Sequence, residues 1–482
     1  MQPFTRARSG GGGRRLTGAG AVLAAAVFSL AVAPVQAAPP PRGPVSQVDL
    51  GLDGAKPNGQ GLSIGISADG RYALFTSIAD NLVARPDTVD HVYVRDLRGG
   101  RTERISVLTD GTPMGEYNGG GAISANGRYV AFTGRDRTPV DGHTPIGDQN
   151  VYVRDRWTGR TELISAGDGT LASSPYTADS PSISANGRYV AFASTRKDLV
   201  LTDAPASLRQ HPLGVYEVYV TDRWTHTTRL VSTAADGSLS DGRSTNPTLS
   251  ADGRTIGFSS TAGDLLPDGQ PVPEVAARPQ DRTAPAAVQG LVPRLAGYYV
   301  RDLRTGTTRV ASTDPAGVPA LAAVDAVISP DGRTALYSLF VPSAPPRNRN
   351  HLELYARDLR TGRAKLVSTP LPGTDTVGNS DDGAITADNR WVYFTSTADN
   401  LVPGPARDYL SPDVYRRDLR TGRTERVATT PGGTVGNGSS DSPSVDARGT
   451  TVVFESSSGD LIAGVDEPES PDIQVYTRST RH

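Results

Sequence analysis

The chain has 482 residues, and its 49 lysine and arginine residues nearly balance 51 aspartate and glutamate residues, giving a formal net charge of -2. Because these charges are spread without long basic runs, the sequence disfavours a nucleic-acid partner. The chain contains no cysteine, which excludes a disulfide framework and a cysteine-linked lipid anchor. We therefore expect the fold to depend on its core alone.

The first 37 residues have the pattern of an export signal. Four arginines precede the apolar run "AVLAAAVFSLAVA", and the small-residue sequence "VQA" ends at Ala37. This pattern predicts a signal peptide over residues 1–37 and a Pro-rich linker over residues 38–44. Removing four arginines and no acid shifts the net charge from -2 to about -6. We expect a secreted or periplasmic (cell-envelope) protein without a later membrane segment, exported by either the general or the twin-arginine route.

Two markers recur through the rest of the chain. One is a hairpin such as "VYVRDRWTGRTELIS", which begins at Val151 and has close variants in five other places. The other is a turn such as "SADGR", repeated at intervals of 57, 60, 66, 79, 57 and 60 residues; its equivalent positions are Asp69, Asn126, Asn186, Asp252, Asp331, Asp388 and Arg448. Seven units of short strands predict an all-β, seven-bladed β-propeller with four antiparallel strands (A to D) in each blade.

Each unit carries two aromatic residues at fixed positions. Strand B has Phe75, Phe132, Phe192, Phe258, Tyr337, Phe394 and Phe454, and strand C has Tyr93, Tyr152, Tyr219, Tyr299, Tyr355, Tyr415 and Tyr476. A blade buries both faces of its sheet against its neighbours, which favours large aromatic side chains. We interpret these residues as the core of each blade.

The last unit lacks an outer strand, because it ends at "IQVYTRS" with only strands A, B and C. An unpaired strand edge is unfavourable. We therefore predict that residues 45–50 form strand D of the last blade and close the ring. The propeller is predicted over residues 45–478, with blades at about 62–108, 121–166, 180–233, 246–313, 325–369, 382–430 and 442–478.

The "SADGR" turn, the aromatic strand B and the hairpin "VYRRDLRTGRT" together resemble the WD-repeat-like propeller units of the TolB type, which occur in exported bacterial proteins. The likeness covers residues 45–478. TolB proteins carry a small α/β domain ahead of the propeller and bind envelope proteins, whereas here a Pro-rich linker is expected before it. Similar propellers accompany prolyl-oligopeptidase-like hydrolases and polysaccharide-acting enzymes, so the resemblance implies the fold rather than one function.

The B-to-C and D-to-A connections share one face of a propeller, which we call the long-loop face; its longest loop runs from Leu266 to Ala296. Variable loops on a rigid scaffold commonly bind ligands. On this face the starts of the innermost strands surround the channel mouth, where we predict the candidate binding residues Asp179, Asn246, Asp325, Asp381, Asp382 and Asp441, with Ser63, Gly120, Ser180 and Ser442 beside them. Converging carboxylates favour a cation, a polyhydroxylated ligand or a basic peptide. The alternative is that they only cap the strand entries.

Two further patterns have structural interpretations. An aspartate recurs after strand B, as in "ADNLVARPDTVD" and "ADNLVPGPARD" and at Asp198, Asp264 and Asp460. A turn role is favoured there, with calcium left open, and no cofactor is predicted. "GLSIG" at Gly61–Gly65 fits G-x-S-x-G but has no following helix, so it does not predict a nucleophile elbow. The six histidines form no catalytic or metal-binding motif, so no catalytic or metal-ligating residue is predicted.

These observations favour a monomeric binding or scaffold protein that recognises an envelope or extracellular protein or glycan. The alternative is a propeller enzyme, a polysaccharide lyase or hydrolase that uses mouth carboxylates as acid and base. Geometry separates the two hypotheses. Paired carboxylates, one of them buried with a perturbed pKa, favour an enzyme, whereas a wide, wet ring of acids favours binding.

Overall fold

A computed structural model of the chain describes residues 43–480, apart from residues 87, 116, 146, 169–175, 200–213, 274–294, 324, 342–350, 376, 405–410 and 466–471. The expected signal peptide and most of the longest predicted loop lie outside these residues. Within them the chain forms the predicted seven-bladed β-propeller, with four antiparallel strands in each blade. Its described helices are the short 3₁₀ turns Leu52–Gly54 and Asp80–Leu82. Neither has the length or hydropathy of a membrane-spanning helix.

The strands are numbered in chain order, and each blade runs from an innermost strand A to an outer strand D. The A strands are β2 (Gly61–Ile66), β6 (Asn118–Ile123), β10 (Ala178–Ile183), β14 (Ser244–Leu249), the pair β18 (Ala322–Ala323) and β19 (Val327–Ile328), β23 (Ser380–Ile385) and β27 (Ser440–Val445). The B strands are β3 (Tyr72–Ser77), β7 (Tyr129–Gly134), β11 (Tyr189–Ser194), β15 (Thr255–Ser260), β20 (Thr334–Val341), β24 (Trp391–Ser396) and β28 (Thr451–Ser456).

The C strands are β4 (His91–Asp96), β8 (Asn150–Asp155), β12 (Glu217–Asp222), β16 (Leu295–Asp302), β21 (His351–Asp358), β25 (Asp413–Asp418) and β29 (Gln474–Ser479). The D strands are β5 (Thr102–Arg104), β9 (Arg160–Leu163), β13 (Thr227–Leu230), β17 (Thr308–Val310), β22 (Ala364–Leu366), β26 (Thr424–Arg426) and, for the last blade, β1 (Val45–Gln47). Strand β16 also pairs with β18, which joins blades 4 and 5 into one sheet.

The N-terminal strand closes the ring as predicted. Strand β1 pairs antiparallel with β29, with Val45 opposite Arg478. It is shorter than the predicted residues 45–50, because the strand-to-strand ladder ends just after Gln47. There the Val48 amide donates to the Val475 carbonyl at 2.7 Å, and the Val475 amide in turn donates to the Asp49 carboxylate at 3.1 Å. The Asp49 carboxylate thus takes the place of a backbone carbonyl as the next hydrogen-bond acceptor.

The predicted aromatic core is present in every blade. The strand B aromatic and the strand C tyrosine stack on each other in all seven blades, with ring centroids 5.6 to 6.2 Å apart. All fourteen rings are buried. Because stacked rings add packing energy to the burial of apolar area, this repeated pair explains why the units need aromatic residues at these two places.

The repeated polar motifs form turns, as the sequence predicts. In blade 1, Asp69 accepts hydrogen bonds from the Ser67 hydroxyl at 2.5 Å and the Arg71 amide at 3.0 Å. Gly70 has φ 71°, the left-handed conformation that favours glycine. In the C-to-D hairpin, Asp96 accepts from two turn amides and from the Arg71 guanidinium. These aspartates therefore hold turns together.

Candidate binding site at the channel mouth

The predicted positions coincide with a repeated irregularity in the innermost strands. In six blades the A strand slips register against strand B shortly after it begins. In five of them the residue at the slip has a positive φ of about 50°: Gly120, Ser180, Asn246, Asp382 and Ser442. Such bulges re-aim side chains and are frequent at functional sites. Here the bulges change the direction of the A strands of these six blades where the strands begin, at the channel.

Blades 5, 6 and 7 bring four of the predicted acids together. The side chain of Asp382 is exposed to the channel, but the surrounding protein removes it partly from bulk water, and this desolvation is the largest cause of its raised pKa, about 7. The negative charges of Asp381, Asp325 and Asp441 contribute to this raised pKa, as does a side-chain hydrogen bond with Asp325. Asp325 lies in the break between β18 and β19.

A fifth acid, Glu455, belongs to this cluster and was missed from the sequence. It lies on β28 directly opposite Asp441 on β27, and its side chain is only 9% exposed. Burial, and after it a hydrogen bond to Asp441, raise the pKa of Glu455 to about 8. Like charges directly opposite each other on two strands are unfavourable, so protonation of Glu455 stabilises the pair. We call Asp325, Asp381, Asp382, Asp441 and Glu455 the mouth cluster.

The sequence did carry a signal for Glu455. It follows the core aromatic of strand B, and the other six blades have a small residue at that place: Thr76, Thr133, Ala193, Ser259, Ser338 and Thr395. A glutamate at a position where the other six blades have a small residue indicates that blade 7 needs a carboxyl group there. The prediction considered only the starts of the A strands, so it could not include a residue of strand B.

The remaining predicted residues, Asp179 and Asn246, form a separate group on blades 3 and 4. The Ser180 hydroxyl lies 3.1 Å from an Asp179 oxygen and 3.2 Å from the Asn246 carbonyl oxygen. Burial raises the pKa of Asp179, while hydrogen bonds from Tyr216 and Ser180 and the nearby Arg243 charge partly offset that effect. Asp179 therefore has hydrogen-bond partners of its own, and it is not among the main influences on the pKa of Asp382 or Glu455.

The other predicted patterns have structural roles. Asp198 pairs with Arg196 in the interior, and Asp460 accepts a hydrogen bond from the Asn437 amide at 3.0 Å. The residues that the structure describes include no group of three or more histidine or acidic side chains arranged to hold a metal ion. Gly61–Gly65 lies within β2, which is followed by a turn and a strand, so the G-x-S-x-G match is not a nucleophile elbow.

Comparisons with known proteins concern the fold. No protein-family model and no curated protein sequence matches the chain. It is similar to the solved structure of an oligogalacturonate lyase from Vibrio parahaemolyticus, at 12% identity over 91% of this chain and 98% of that chain, with a TM-score of 0.48. It is also similar to TolB from Acinetobacter baumannii, at 14% identity over 86% and 81% of the two chains (TM-score 0.36), and to an acylaminoacyl peptidase from Pyrococcus horikoshii, at 13% over 88% and 52% (TM-score 0.46). TolB proteins and other propellers are thus its structural neighbours, and at these identities the likeness concerns the fold alone.

Proposed function

We propose that the protein is an exported binding protein that captures a cationic group of an envelope or extracellular ligand at the mouth of its central channel. The export signal predicted over residues 1–37 supports the location. The observation that carries the binding proposal is the interaction of Asp382 with three neighbouring acids, one of which is paired with Glu455, on three consecutive blades. Such a concentration of like charge is costly in the free protein, and a bound ammonium or guanidinium group relieves it.

The contacts inside the mouth cluster support a ligand with N–H donors. After desolvation, the strongest influences on Asp382 are the negative charges of three other acids. Asp441 is hydrogen-bonded to Glu455 while Glu455 is protonated. Because that hydrogen bond is lost when Glu455 ionises, a ligand N–H group contributes both a new hydrogen bond and a compensating charge.

Binding of a cation is coupled to the protons of the cluster. At pH 6 both Asp382 and Glu455 are protonated, since their pKa values are about 7 and about 8. At pH 9 both are ionised, and the cluster carries two more negative charges. A cation binds the ionised cluster better and displaces protons near neutral pH. We therefore expect its affinity to increase as the pH rises from 6 to 9.

Calorimetric titration of the full-length chain with hexalysine tests this proposal, with fully acetylated hexalysine as the uncharged control. We expect D382N/E455Q to weaken hexalysine binding at pH 9 by at least about tenfold, as for the loss of charge-assisted hydrogen bonds. At pH 6 the same variant differs little from the wild type, because both groups are already neutral there. Asp110→Asn removes an exposed turn acid and serves as the matched control. Equal affinity of wild type and D382N/E455Q at pH 9 contradicts the proposal.

A specific observation also favours the second candidate, a propeller enzyme acting on a polysaccharide. Glu455 is buried, paired with Asp441 and protonated near neutral pH, as a general acid must be. By the geometric criterion above, this pair supports acid–base chemistry. The binding proposal accounts for all five carboxyl groups, whereas glycosidic cleavage uses two. A polysaccharide cleaved by the wild type but not by Glu455→Gln, with no binding of hexalysine, selects the enzyme.

A further inference from the structure

A second cleft, of about 450 Å³, lies between blades 5 and 6 at the A-to-B and C-to-D turns, on the face opposite the mouth cluster. This volume is in the range of small-molecule sites. We call it the 5/6 cleft. The residues that matter for its chemistry are Thr334, Arg363, Lys365, Asn389, Arg390 and Arg420.

The 5/6 cleft has no aromatic ring at the start of strand B. Between blades 2 and 3, Tyr129 at the start of strand B fills the corresponding space, with the Arg223 guanidinium 4.6 Å from its ring centroid. A Cβ on the turn glycine Gly187 would lie 2.1 Å from that ring, so the turn there requires glycine. Blade 5 begins its strand B with Thr334 instead, as blades 4 and 7 do with Thr255 and Thr451. The turn that faces Thr334 differs from the others, because it carries Asn389 in place of glycine.

The charges of the 5/6 cleft favour an anion. Among the residues that the structure describes, no acidic side chain pairs with Arg363, Lys365 or Arg420. The two acidic residues that line the 5/6 cleft accept hydrogen bonds within their own turns. Asp358 accepts from the Arg360 and Thr361 amides at 2.9 and 2.8 Å. Asp388 accepts from the Arg390 amide at 3.1 Å and the Thr386 hydroxyl at 2.6 Å.

Asn389 sets the turn beside the 5/6 cleft apart from the other A-to-B turns. Its φ of 56° is unusual for a residue other than glycine. Its side-chain amide donates to Asp331 Oδ2 at 2.7 Å, while its carbonyl oxygen is buried and has no donor among the described residues. The asparagine is thus the departure from the repeat at this interface, where the other turns carry glycine.

We propose that the 5/6 cleft binds a small organic anion. Its carboxylate or phosphate contacts Arg363, Lys365 and Arg420. This site is independent of the mouth cluster, and its ligand has the opposite charge.

Calorimetry of the full-length chain tests the proposal with four probes: glucuronate, glucose 6-phosphate, inorganic phosphate and neutral glucose. We expect an anionic sugar to bind more tightly than glucose, and R363Q/K365Q to weaken its binding by at least about tenfold. These exposed substitutions leave the melting temperature unchanged. Arg304→Gln, at the position in blade 4 that corresponds to Arg420 in blade 6, is the control and leaves binding intact.

A second variant, T334Y/N389G, restores the pattern of the Tyr129 interface and fills the 5/6 cleft. We expect it to remain folded and to lose binding of the anionic sugar. Preference for glucuronate identifies a carboxylate ligand, and preference for glucose 6-phosphate over glucuronate identifies a phosphate ligand. The proposal is overturned if no anionic probe binds, if glucose binds equally well, or if R363Q/K365Q binds like the wild type.

Discussion

Deleting residues 45–50 is expected to lower the free energy of unfolding by roughly 4–6 kcal/mol, from lost apolar burial and lost hydrogen bonds. Val45 and Val48 are 6% and 0% exposed, and both belong to the core between the last blade and its neighbours. Without β1 the edge of β29 is open, so we also expect concentration-dependent aggregation. Chemical denaturation and sedimentation of the full-length chain measure the two effects.

Ser46→Ala is the matched control for this deletion, because Ser46 lies on the same strand with an exposed side chain. We expect this control to change stability by less than about 0.5 kcal/mol. A deletion variant as stable as the control, and monomeric at high concentration, would show that strand β1 does not close the ring.

The second large effect is expected from Asp198→Ala. Arg196 and Asp198 are each 1% exposed and form two hydrogen bonds, at 3.0 and 2.8 Å. Removing the carboxylate leaves a buried guanidinium without that partner, which typically costs about 3–5 kcal/mol. The backbone of Gly167 packs so closely on this pair that a Cβ there would lie 2.0 Å from an Asp198 oxygen, so the site has little room for water.

Asp460→Ala provides the comparison for Asp198→Ala, since it removes the equivalent aspartate of blade 7. That residue accepts one hydrogen bond from the Asn437 amide, and we expect a loss of about 1 kcal/mol. Denaturation curves of the two variants measure the difference. Equal losses would mean that the buried ion pair contributes no more than the turn hydrogen bond.

The repeats made the fold predictable because each local signal has one structural solution. The aromatic pair indicates the blade core, the "DG" turns indicate the A-to-B hairpins, and the missing outer strand leaves only the N-terminal segment to close the ring. Blade 5 was less predictable. Its innermost strand is broken around Asp325, and β16 of the preceding blade pairs with it, an irregularity with no counterpart in the repeat.

The candidate site was predictable only in part. Sequence spacing identified the starts of the A strands, but it does not show which acids face each other across the ring. The prediction grouped Asp179 with the acids of the mouth cluster. In the structure its carboxylate accepts hydrogen bonds from Ser180 and Tyr216, on a different side of the ring. Glu455 was missed because it reaches the mouth from strand B, through cross-strand pairing with Asp441.

The 5/6 cleft was not predicted for a related reason. Thr334 and Asn389 are ordinary residues in their own segments. Their effect appears only when the two blades pack together and both residues line one cleft. Differences among repeats that face each other across an interface are therefore more informative here than the consensus of the repeat.

The most direct test of the account is whether the mouth cluster holds protons near neutral pH. Infrared difference spectra of the full-length chain between pH 6 and pH 9 report protonated carboxyl groups. We expect a carboxyl signal that is lost as the pH rises through about 7 to 8 and that is much weaker in D382N/E455Q. Glu217, a buried acid whose pKa burial raises to about 8, contributes its own signal, and Glu217→Gln accounts for it. If D382N/E455Q and the wild type give the same difference spectra, Asp382 and Glu455 do not lose protons between pH 6 and pH 9 and the account is wrong.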